Sequence, residues 1–191
     1  LSLLPKLLPV YRQILSRLHA EGVEWIQIDE PVLGLDIEDK WLAAFRDVYQ
    51  ELSREPVKLL LTTYFSSLAG HIDTVCSLPV AGLHVDAIRG AEDLKEIATK
   101  WPADKALAVL RSSGLAGRQN LWVAPSCSLL HVPFSLDAET KMDLRLKQCL
   151  AFAVEKLEEI HALKDALVKG DAAVADALES SRRTVELRKG D

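Results

Sequence analysis

The chain alternates short, continuously apolar runs with segments in which apolar residues recur every three or four positions. The runs are VEWIQID at 23–29, VKLLLTTYF at 57–65, PVAGLHVD at 79–86 and LWVAPSC at 121–127. Runs of this length, apolar on both faces, predict strands covered on two sides, as in parallel sheets. Ahead of the first run, Leu4, Leu7, Leu8, Tyr11, Ile14, Leu15 and Leu18 draw the stripe of a helix that Gly22 ends. Further helices are expected over 41–52, 68–77 and 91–101. A long helical stretch over 137–169 is marked by Leu144, Leu150, Leu157 and Leu163 and stopped at Lys169-Gly170, and a more polar helix follows over 171–188. Parallel strands joined through helices are βαβ units, so the fold class is α/β.

An open sheet and a closed barrel both satisfy this pattern. No GxGxxG follows the first strand, which removes the commonest ground for a dinucleotide-binding sheet. Polar groups stand at successive strand ends: Asp29 and Glu30, Thr62 and Thr63, Asp86, then Ser126 and Cys127. In a (β/α)₈ barrel these would converge on one rim, where such enzymes keep their sites. A complete barrel takes about 250 residues, more than the 191 here, so a partial barrel is expected. The start at Leu1, with the only methionine at Met142, leads to the expectation that the chain begins within a longer protein.

Residues 105–110, KALAVL, resist assignment. As a strand, they leave too few residues before LWVAPSC for a parallel crossover, which takes about a dozen or more. As a helix end, they leave no strand after the helix at 91–101. Either way, a piece is expected to be missing near Ala108, with the polypeptide interrupted between Ala108 and Val109.

A net charge of -5 and the lack of a Lys/Arg block argue against nucleic acid and against an anionic membrane surface. No apolar run approaches the roughly 20 residues of a spanning helix. Cys76, Cys127 and Cys149 form no CxxC pair and are expected to be free thiols. These features lead to the expectation of a cytoplasmic protein. Asp29 and Glu30 could form a carboxylate pair in which each charge perturbs the other. Successive strand residues point to opposite faces, however, and Pro31 ends the strand, so one acid is expected inward, bonded to a rim group such as Thr62, Thr63 or a backbone N–H. The other would meet a cation such as Arg89. His84 and His131 are expected to be buried and hydrogen-bonded, and Lys6, Arg12 and Lys58 to be solvated.

The strings VEWIQIDEPVL, LLLTTYF, GLHVD and LWVAPSCSLLH, in that order, resemble the N-terminal barrel of the cobalamin-independent methionine synthase family. The resemblance implies a zinc-dependent transfer of a methyl group from methyltetrahydrofolate polyglutamate to homocysteine, in a protein of two facing barrels whose C-terminal one holds the zinc. It implies that residues 1–169 are about strands 4 to 8 of the first barrel, and 170–191 a helical linker toward the C-terminal catalytic barrel. Near Ala108, relatives carry a strand with a GRN-type loop that is absent here. Laid onto this chain, the zinc-ligand positions of the catalytic copy fall on Thr62, Tyr64, Asp86 and Cys127. Only the last two are ordinary zinc donors, so these residues, with Asp29 and Glu30, are relic or cleft candidates, with no catalytic residue and no metal in this chain. Two other readings are a self-sufficient single-barrel zinc methyltransferase, which would need the His-x-Cys that Thr62 and Tyr64 replace, and a stand-alone folate- or peptide-binding module.

Overall fold

A computed structural model describes residues 1–109, 120–126 and 128–189. The chain falls into two compact units, Leu1–Ser126 and Cys127–Asp191.

The first unit holds helix α1 (Leu4–Ala20), strand β1 (Trp25–Asp29), α2 (Asp39–Leu52), β2 (Lys58–Thr62), α3 (Ile72–Ser77), β3 (Gly82–His84), α4 (Asp93–Lys100), β4 (Ala106–Val109) and β5 (Leu121–Val123). The five strands form one sheet in chain order, parallel throughout. Gly22, at φ +86°, turns the chain from α1 into β1 in a conformation that costs a residue with a Cβ.

Strand periodicity divides the side chains between two faces. One face carries Leu59, Leu61, Leu83 and Leu107, each 2% exposed or less, against Tyr49, Leu52, Val75 and Ile97 from the helices. Burying a leucine fully contributes about 1.5–3 kcal/mol, so this layer is the principal source of the unit's stability. The other face steps back at Gly82, Ala106 and Ala108, beside the larger Trp25, Leu60 and His84. A Cβ on Gly82 would lie 2.9 Å from Leu60 Cδ1, 3.1 Å from the Trp25 ring and 3.3 Å from Ala106 Cβ.

Over that face, the Trp25 and Trp122 rings meet edge to face, centroids 4.7 Å apart. Trp25 stands on β1 and Trp122 on β5, which in a flat sheet would be about 19 Å apart across four inter-strand gaps. The sheet is therefore curled. An eight-stranded barrel places the fifth strand opposite the first, around an interior that side chains fill, and a Trp–Trp contact across the axis suits that curvature.

The structure corrects the reading near Ala108. Residues 106–109 are a strand, with Leu107 paired to Leu83 and to Leu121, so no strand is missing between β3 and β5. Ala108 and Val109 are consecutive within it, not the ends of a break. Ladder bonds on both sides and the buried outward Leu107 decide for strand, and Ala106 and Ala108 fit the cut-back face. The next connection, 110–119, lies outside the described residues.

In the second unit, the expected continuous helix over 137–169 is α5 (Leu144–Gln148) and α6 (Ala153–Lys169). Phe152 is extended between them, and Glu155 accepts its N–H (3.0 Å), that of Leu136 (2.9 Å) and the Ser135 hydroxyl (2.9 Å). A carboxylate serving these donors fixes the start of α6 where the apolar repeat alone shows no boundary. Gly170, at φ +86°, separates α6 from α7 (Ala175–Lys189), as the Lys169-Gly170 stop anticipated. Among the described residues no helix is long and apolar enough to cross a membrane.

The close packing around Gly82 makes Gly82→Ala destabilising by about 1–3 kcal/mol, the usual range for overpacking. Urea unfolding checks it; an unchanged midpoint would mean that the inner face has room to spare.

Candidate functional site

The strand ends form a polar rim, and its residues are held by one another. Asp29 continues the inner row of β1 beside Thr62. Its carboxylate accepts from Gln27 Nε2 (2.6 Å) and from the Tyr64 hydroxyl (3.3 Å). The Glu30 carboxylate turns the other way and accepts from the hydroxyl of Tyr49 on α2 (3.1 Å). Its backbone N–H bonds Thr62 O (2.8 Å), and Pro31 opens the 3₁₀ turn Pro31–Gly34. The two acids thus face different layers, as strand periodicity requires, and neither hydrogen-bonds the other. The inward acid meets Tyr64 and Gln27 and not Thr62, Thr63 or a backbone N–H, because the Tyr64 phenol reaches farther than a threonine hydroxyl. Burial raises the Glu30 pKa; the Tyr49 bond opposes this and the charge of Asp29 adds to it. Burial and the Glu30 charge also push the Tyr49 phenol upward.

Asp86 is 2% exposed and saturated. It accepts the N–H groups of Phe65 (3.1 Å), Ile88 (3.0 Å) and Arg89 (3.1 Å), and Arg89 Nη1 (3.0 Å). Burial alone would raise its pKa, but the hydrogen bonds from Arg89, Ile88 and Phe65 outweigh it and hold the carboxyl below its ordinary value. Arg89 is thereby bound to Asp86 and does not serve Asp29 or Glu30 as expected.

Thr63 donates its hydroxyl to His84 O (3.0 Å), while the Thr62 hydroxyl is buried with no hydrogen-bond partner among the described residues. His84 is buried as expected, with Nδ1 3.0 Å from Thr63 O and Nε2 2.8 Å from Pro125 O. His131 is exposed instead, in the 3₁₀ turn Leu129–His131 of the second unit, where a cap from Ser128 sets the turn. Arg12 is not merely solvated, since its Nε bonds Glu55 (2.7 Å) and ties α1 to the end of α2. Lys58 stands 5.6 Å from the centre of the Trp25 ring. Cys127 lies outside the described residues.

Sequence reasoning missed Tyr49 and Gln27, and named Tyr64 as a zinc-ligand position and not as the partner of Asp29. The signals were present: a buried tyrosine requires a partner for its hydroxyl, and Gln27 shares a strand face with Asp29 two residues on.

Residues 1–139 match the family described as cobalamin-independent synthase, N-terminal domain. The chain belongs to the cobalamin-independent methionine synthase family. It is 43% identical over 209 residues to a 5-methyltetrahydropteroyltriglutamate–homocysteine methyltransferase of Acidithiobacillus ferrooxidans, covering 99% of this chain and 27% of that protein. Proteins of the same name from Citrobacter koseri (43% over 194 residues, 93% of this chain, 26% of the relative) and Nitrobacter winogradskyi (42% over 215 residues, 99% and 27%) are similar to it. The chain spans about a quarter of the length of these methionine synthase relatives. The first match runs over 209 residues, more than the chain's 191, so that relative carries at least 18 residues with no counterpart here (209 less 191).

Of the four positions onto which the resemblance lays a zinc site, the three described ones do not fit the ion. The Asp86 oxygens serve four donors, the Tyr64 phenol is bound to Asp29, and Thr62 offers a neutral hydroxyl where zinc takes thiolate, imidazole or carboxylate. Among the described residues no three His, Cys, Asp or Glu side chains are placed to hold a metal.

Two stability effects of opposite sign follow. The folded-state pKa of Glu30 lies above its ordinary 4.5, so stability falls as pH rises from about that value through the raised one. Glu30→Gln keeps an acceptor for Tyr49 without the buried charge; it raises the melting temperature at pH 7, and the gain shrinks toward pH 4.5. A gain that persists unchanged in acid would assign the effect to something other than charge.

Asp86 has a depressed pKa, so its contribution is full above 3.8 and is lost as pH falls through the lower folded value. Asp86→Asn puts an NH₂ among N–H donors and costs about 2–3 kcal/mol at neutral pH. Urea unfolding at pH 7 and in acid measures both the loss and its disappearance.

Proposed function

We propose that this chain is the noncatalytic part of a methyltransferase that moves a methyl group from 5-methyltetrahydrofolate polyglutamate to homocysteine, forming methionine. Residues 1–169 supply the later part of the first barrel and 170–191 lead toward the C-terminal catalytic barrel, which holds the zinc. This piece braces that barrel and supports the folate cleft, and the protein works in the cytoplasm. The observation that carries the reading is that the rim carboxylates are already engaged. Each of the three acids is held by partners from its own unit: Asp29 by Tyr64 and Gln27, Glu30 by Tyr49, Asp86 by four N–H groups. Acids so arranged fix loops in place, which supports a structural role for them over that of a general base aimed at a substrate.

Incubated with zinc, homocysteine and methyltetrahydrofolate triglutamate, the chain alone is expected to form no methionine and to retain no stoichiometric zinc. The full-length protein is expected to form methionine, and to keep that activity within about twofold when Glu30 is replaced by glutamine, since no step of the reaction is assigned to it. Turnover by the chain alone, or loss of full-length turnover in the Glu30→Gln variant without loss of folded protein, would contradict the reading.

A further inference from the structure

Both ring nitrogens of His84 face carbonyl oxygens. Nδ1 lies 3.0 Å from Thr63 O and Nε2 2.8 Å from Pro125 O, in a residue only 5% exposed. A carbonyl oxygen only accepts. A neutral imidazole carries one N–H and one lone pair, so in either tautomer one nitrogen would hold its lone pair against that of an oxygen, away from water. An unmade bond of this kind is costly inside a protein. Turning the ring over sets carbon against both oxygens and forfeits both bonds. Only the doubly protonated ring donates to the two carbonyls at once.

The neighbours of His84 prepare this span. Thr63, which follows β2, returns its N–H (3.1 Å) and its hydroxyl (3.0 Å) to His84 O, so the ends of β2 and β3 are tied together at this level. On β4, the residue in register with His84 is Ala108, whose methyl group leaves the imidazole room to pass over β4. Pro125 stands two residues beyond Val123, the last residue of β5. A buried charge needs groups that answer it. The two carbonyls do so directly, and Asp29, in the same inner row, and Asp86, two residues along the chain, add negative charge to the rim.

We propose that His84 is a buried imidazolium that acts as a cross-brace. Its two N–H groups hold the exit of β5 to the ends of β2 and β3, and so position the residues that close the first unit at Ser126. The role is positional and does not depend on the reaction assigned above. Hydrogen bonds from a charged donor are roughly twice as strong as neutral ones, so the charge carries the brace and not the shape of the ring alone. The small residue at 108 is part of the device, because a larger side chain there would stand in the path of the ring.

Nitrogen-15 NMR of the histidine-labelled chain at pH 7 tests the charge, with His84→Gln used to assign the signals. His84 is expected to show a proton on each ring nitrogen; a neutral ring shows one nitrogen with a proton and one without. Hydrogen exchange tests the brace. In His84→Gln, whose side-chain amide can serve one carbonyl and not both, the amides at 122–124 and 126 exchange about tenfold faster or more, while those at 26–28 stay within about twofold. In Ala108→Val, which crowds the path of the ring over β4, the same amides speed up although His84 is intact. A neutral His84 ring in the unaltered chain overturns the proposal. So does His84→Gln exchange that is unchanged at 122–126, or that rises equally at 26–28, which would mark a loss of packing throughout the unit. Should a variant fail to fold, the spectrum of the unaltered chain decides alone.

Discussion

The rim depends on one buried carboxylate. Asp86 leaves β3 and gathers the N–H of Phe65 from the end of β2 and those of Ile88 and Arg89 from its own loop, with the Arg89 guanidinium closing the set. A buried carboxylate is tolerable only when its charge is answered by donors. Because the donors come from two loops, answering the charge fixes both loops at once. The positive φ of Phe65 follows from this, since its N–H is drawn to Asp86 whatever its side chain prefers.

Beneath the rim, the sheet sets the frame. Parallel register puts Asp29, Thr62 and His84 in one row, so the strand ends arrive together. At its middle strands the inner face steps back to Gly82, Ala106 and Ala108, beside Leu60 and His84, and the Trp25–Trp122 pair closes over it. The room at Gly82 and the two alanines suits the curvature, while the parallel register brings the polar strand ends together. In this five-stranded unit the acids thus arrive at one rim, where their hydrogen bonds go to its loops and helices.

Much of this was legible in the sequence. Continuously apolar runs located β1, β2, β3 and β5, because two-sided burial leaves a strong signal, and the alternation with helices gave the parallel sheet. The opposite facing of Asp29 and Glu30 followed from strand periodicity alone. Strand β4 was misjudged because its four residues, ALAV, satisfy a helix as well as a strand, and only pairing with β3 and β5 decides between them. The break before α6 was hidden for a related reason: an apolar repeat runs through 137–169, while the interruption is made by Glu155 bonding backbone groups. The tyrosine partners of Asp29 and Glu30 lie 35 and 19 residues away in the chain, beyond the reach of local pattern.

The central claim is that the rim carboxylates are structural, each set by its own surroundings. Carbon-13 NMR titration of the Asp and Glu carboxyl groups measures this directly. The account requires Asp86 to titrate below the ordinary aspartate range, under its load of N–H donors, and Glu30 above the ordinary glutamate range, because of burial. Asp86 titrating at or above its ordinary value would mean that its oxygens are free for a metal or a substrate, and would contradict the account.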